Sequence, residues 1–240
     1  MLIQFKKIRN ALIKEGKLGK YILYAIGEIF LVVAGILIAL QVNNYDLKQQ
    51  KKSIEHNYFL TMKLQLSRDK ERLKEEIHGM NERIDDYLVG MKLINENDHN
   101  SVGNLASIVI RLLEYGDFRR ESSVFQTLVF SGEIKYINNK EIIENLQEIE
   151  RTYEITERLE DTQANIVMTH AAPVIYGIID FESGRIIEPN IVFTTTFKNN
   201  FFIAIRLAQE KKKEFEHALS VIGSTIKIID SEIAKNSEQM

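Results

Sequence analysis

From Tyr21 to Val42 the chain reads YILYAIGEIFLVVAGILIALQV, apolar or weakly polar throughout except for Glu28. A helix of this stretch is about 33 Å long, against a hydrocarbon core of about 30 Å. No soluble helix needs apolar surface on every side over such a length, so the pattern predicts a membrane span over residues 21–42. A cleaved signal peptide is the rival reading. It requires an apolar core of only about 7–15 residues followed by a small-x-small site. The sequence Ala39-Leu40-Gln41-Val42-Asn43 offers no such site.

Beyond the span the pattern turns periodic without an obvious break. Phe59, Met62, Leu66, Leu73, Ile77, Met80, Ile84, Tyr87, Met91 and Ile94 follow a three-four spacing interrupted by Asp69. That spacing predicts a long amphipathic helix continuous with the span. Gly79 and Gly90 weaken it locally. Residues 95–104 read as a polar loop, and Leu105 to Tyr115 as a short helix ending at Gly116. Ser123-x-x-Gln126 is a capping box, and Gly132 supplies a left-handed closing residue. Asn138, with Glu141 three residues on, opens the next helix. Its register keeps Ile142, Leu146, Ile149, Tyr153, Thr156, Leu159, Gln163, Ile166, His170 and Val174 together, with a bend or stop near Pro173. Residues 177–196 break the pattern. Glu182-Ser183-Gly184-Arg185 between β-branched runs fits the turn of a small hairpin near 178–194. Phe201 to Ile233 then carry a coiled-coil-like seam along a long terminal helix.

The predicted fold class is therefore all-α. One N-terminal transmembrane helix continues into an antiparallel helical bundle formed by residues 43–240, behind a basic amphipathic segment over 1–20. No Gly/Ser linker or fixed-period repeat divides the bundle.

Charge orients this arrangement. Lys6, Lys7, Arg9, Lys14, Lys17 and Lys20 precede the span against Glu15 alone, whereas Lys48, Lys51 and Lys52 follow it beside Asp46. Cationic flanks stay cytoplasmic, so the N-terminus lies inside and residues from about 43 onward lie outside the cytoplasm. Of 31 Lys/Arg and 34 Asp/Glu, six and two fall in residues 1–43, leaving 25 and 32, a net −7, for the rest. An acidic ectodomain argues against nucleic acid as a partner. The absence of cysteine removes disulfides and thiolate metal sites from consideration. Two prolines and twelve glycines among abundant Glu, Lys, Ile and Leu support a mostly helical chain.

Glu28 needs a physical explanation, because a carboxylate mid-bilayer costs about 2.5–3.5 kcal/mol on insertion scales. Glu28, Val32, Gly35, Ala39 and Asn43 share one helix face, and Gly35-x-x-x-Ala39 is the small-xxx-small spacing that lets helices approach closely. Glu28, Gly35, Ala39 and Asn43 are thus the candidate membrane helix–helix interface. The plainer alternative is that Glu28, about 10 Å inside the boundary, snorkels toward the cytoplasm.

The same stretch carries a resemblance. Gly19-Lys20-Tyr21, Tyr24-Ala25-Ile26-Gly27-Glu28-Ile29 and Leu31 through Asn44 resemble the signature of an uncharacterised family of single-pass proteins common in the Bacteroidota. Residues 122–146 are similar to that family's second recognisable stretch. Tyr45 alone stands where the family has an aromatic pair. The resemblance implies an envelope location and a helical ectodomain, and brings no catalytic residues with it.

Candidate chemistry is sparse. There is no Gly-rich phosphate loop, HExxH or G-x-S-x-G motif. Two Glu-x-x-His pairs, Glu75/His78 and Glu214/His217, have the spacing used in di-metal carboxylate bundles. Against that, Glu71 and Glu82 share the face of the first pair, and Lys211-Lys212-Lys213 precede the second, as on solvated faces. His170 on an apolar seam reads either as a pH-responsive imidazole or as a hydrogen-bonded core histidine. Arg119-Arg120 ahead of the Ser123 helix offer an anion contact or an ordinary surface pair. Two functions fit: an interaction or structural module tethered to the membrane, or an extracytoplasmic ligand sensor working through a membrane partner. The expected partners are membrane lipid and either a second copy or another membrane protein. No cofactor, metal or enzymatic role is expected.

Overall fold

The computed structural model describes residues 18–116, 118 and 123–237. The basic segment over 1–17 and the Arg119-Arg120 pair lie outside the described residues. The fold is helical. Helix α1 covers Leu18–Asn95, α2 Val102–Arg111, α3 Val124–Phe130, α4 Lys140–Ile166, α5 Ala172–Ile178, α6 Pro189–Val192 and α7 Thr195–Ser237. Strands β1 (Ile179–Asp180) and β2 (Arg185–Ile186) form a two-residue antiparallel ladder with Ile179 opposite Ile186. The chain divides into two compact units at Ile54/Glu55.

In the first unit, Ile22 through Val42 lie within α1, and their large apolar side chains, apart from the half-buried Tyr24, are exposed. It is long and apolar enough to cross a membrane.

In the second unit the three-four spacing of α1 becomes a buried row. Phe59, Met62, Leu66, Leu73, Met80, Ile84, Tyr87 and Ile94 are all buried. Two apolar clusters result, one around Phe59, Leu73, Ile142, Phe215 and Ile222, the other around Tyr87, Leu105, Ile175, Phe197 and Phe201. Paired side chains fix the directions of the long helices. Asn95 meets Lys198 and Lys63 meets Asp230, so α7 runs antiparallel to α1. Glu148 meets His217 and Asn139 meets Glu232, so α7 is antiparallel to α4 as well. Glu55 meets Asn138 and Asp69 meets Tyr153, so α1 and α4 point the same way, because the short elements between them carry the chain back.

Several local details depart from the spacing rules. The supposed loop over 95–104 is largely helical. α1 ends in a Schellman closure: Asp98 N–H reaches Leu93 O at 3.1 Å, and Asn97 N–H reaches Ile94 O at 3.2 Å. Asn97 takes the left-handed position at φ 52°, a conformation that Asn tolerates better than most residues. α2 therefore starts at Val102 and stops at Arg111, short of Tyr115.

Helix α4 is capped by Asn139, whose side chain accepts the Ile142 N–H, and not by Asn138. Asn138 is engaged elsewhere. Its backbone N–H donates to buried Glu55 at 2.8 Å, and its side-chain amide donates to the same carboxylate at 3.2 Å.

The bend at Pro173 takes the form of a π turn over Val167–Ala171, with Ala172 N–H bonding five residues back to Val167 O. A proline cannot donate to the carbonyl four residues before it and clashes with that group, and a wide turn relieves both faults. The extra residue also shifts the buried row to Val167, Ala171 and Ile175. His170, expected on the apolar seam, is exposed in consequence.

Ser123 opens α3 by accepting the Gln126 N–H, and Gly132 closes it at φ 71°. The Gln126 side chain does not complete a capping box; it donates to Glu150 at 2.8 Å. The hairpin turn stands where expected. The Asp180 carboxylate accepts the Glu182 N–H and the Ser183 hydroxyl, and Gly184 supplies φ 66°. Those donors hold the Asp180 carboxyl below its usual range, the Ser183 hydroxyl contributing most.

Candidate functional site

Within the first unit, Glu28, Gly35, Ala39 and Asn43 lie on one helix and are all exposed. At about 100° per residue they fall within an arc of about 80°. A Cβ added to Gly35 would meet nothing within 4 Å, so that side of α1 is open. The face is small in the middle, with a carboxyl toward one end and an amide at the other. A neutral carboxyl donates one hydrogen bond and accepts others, and an amide does both. No Lys, Arg or His stands beside Glu28 in sequence between Ile22 and Asn43.

The Glu-x-x-His pairs are placed differently. Glu75 and His78 are exposed, and His78 Nε2 lies 3.5 Å from Glu82 Oε1 on the same face of α1. His217 Nε2 lies 2.7 Å from Glu148 Oε1, and Glu148 also takes Arg151 through both oxygens at 2.6 and 3.0 Å. The Arg151 hydrogen bonds, and then the one from His217, hold the Glu148 carboxyl down at about 2 from 4.5. Each imidazole is therefore turned to a carboxylate outside its own pair. Among the described residues no group of three or more His, Asp or Glu side chains is placed to hold a metal ion.

Sequence reasoning missed the polar layer between the two apolar clusters. Lys211 was read as part of a solvated charge run, yet it is 4% exposed and lies 3.1 Å from Glu160. Glu160 also accepts the Phe118 backbone N–H at 3.0 Å. The available signal was the seam of α7. Lys211 falls between Ala208 and Phe215, at a position the three-four spacing assigns to the core. Nearby, the Tyr87 hydroxyl donates to Arg111 O at 2.9 Å, and burial pushes its phenol up to about 12.

Three clefts accompany these groups. One of about 20 Å³ lies beneath the π turn against Tyr87 and Ile203, and a second of about 20 Å³ lies beside Asp69, Ser123 and Glu150. A third of about 10 Å³ lies between Arg83, Gln163 and Lys211. Each is the size of a water molecule.

Set against protein-family models, curated proteins and solved structures, the chain matches none.

Proposed function

We propose that this chain is a membrane-tethered interaction protein. Its span crosses the inner membrane with the N-terminus cytoplasmic, and its helical unit stands on the periplasmic side. The observation that carries the reading is the open face of α1 on which Glu28, Gly35, Ala39 and Asn43 lie together. A carboxyl with no cation in its own span gains most from a second helix that brings a hydrogen-bonding group to the same depth. A second copy does so by symmetry; another membrane protein with a polar residue at that depth would do the same. The flanking cations support the orientation. The resemblance of residues 19–44 to a family of single-pass envelope proteins points the same way.

A sensor of small molecules needs a pocket of about 300–1,000 Å³, against about 10–20 Å³ for the clefts described above. The open face of α1 supports a protein that acts by holding partners.

Reporter fusions combined with crosslinking test this reading. A reporter active only outside the cytoplasm should work after Met240 and fail at the N-terminus. Crosslinking in native membranes should then trap a discrete complex through the span. A reporter silent after Met240, or a chain that fractionates as soluble, overturns the proposal.

A further inference from the structure

We draw no further inference here: the strongest candidate, the exposed Tyr176–Phe181 aromatic pair beside the β1–β2 hairpin, is an apolar surface and nothing in the structure shows what covers it.

Discussion

Lys211 Nζ sits 3.1 Å from Glu160 Oε1, with side-chain exposures of only 5% and 12%, so the ammonium and the carboxylate neutralise each other out of reach of bulk water. Removing one partner of a buried pair costs about 3–5 kcal/mol, whereas removing both charges together costs far less. Lys211→Met should therefore lower unfolding stability by that order. Lys211→Met combined with Glu160→Leu should recover much of the loss. Urea unfolding followed by circular dichroism checks both. A double variant as unstable as the single would mean that the pair contributes through packing alone.

Gly79 and Gly90, both in the part of α1 beyond Ile54, should respond oppositely to alanine. A Cβ on Gly90 would lie 2.9 Å from Phe201 Cε1 and 3.0 Å from Ile108 Cγ2, both on buried side chains. Overpacking of this kind costs about 1–3 kcal/mol. At Gly79 the nearest atom is the end of Arg83 at 3.9 Å. There the gain in helix propensity, about 1 kcal/mol, should prevail. Thermal midpoints should fall for Gly90→Ala and rise for Gly79→Ala.

Acid should expose the Glu148 cluster. Its carboxyl titrates at about 2 in the folded chain, well below 4.5, because Arg151 and His217 bond to the charged form. A depressed folded value means that the stabilisation is fully present above about pH 4.5 and is lost as pH falls toward 2. In a series of melts from pH 6 to pH 2, Glu148→Gln should remove part of the acid-induced loss between those limits. A pH profile parallel to the parent would show that the triad adds no net stability.

Association of the span should follow the open face. Ile at Gly35 or Ala39 blocks close approach and should weaken self-association in a membrane two-hybrid assay, while Val33→Ile on another side should leave it unchanged. Glu28→Gln keeps an amide able to bond, at about 0.6–2 kcal/mol per contact, and should retain more association than Glu28→Leu. Equal signals from the parent and from the Gly35, Ala39 and Glu28 variants would remove the second copy from the reading.

The features legible in the sequence were those decided by neighbours along the chain. The apolar run after Tyr21, the Ser123 cap, the left-handed Gly132 and the Gly184 turn each rest on residues within a few positions. What escaped depended on distant partners. Asn138 and Asn139 are chemically identical, and Glu55, far back on α1, decides which of them caps α4. Lys211 looked solvated because its neighbours in sequence are charged, while Glu160 on another helix supplies its counterion. His170 lost its inward place to a single extra residue in the turn before Pro173, a shift that three-four counting cannot register. The open face of the span was visible from spacing, since an isolated helix displays its residues without tertiary override.

The pairing of Lys63 with Asp230, and the placing of Phe59 and Ile229 in one cluster, bears on how the chain is made as well as on how it stands. The half of α1 beyond Ile54 emerges early, and its apolar row, which α2 and α4 cover in part, is completed only when α7 has followed. At about 5–20 residues per second the intervening segment takes on the order of ten seconds to synthesise. Throughout that interval the row from Phe59 to Ile94 lacks the part of its cover that α7 supplies through Phe201, Phe215, Ile222 and Ile229. A neighbouring nascent chain presents the same vacancy and, later, the same α7. For two chains made side by side, each α7 therefore has an identical row to meet on its own chain and on its neighbour.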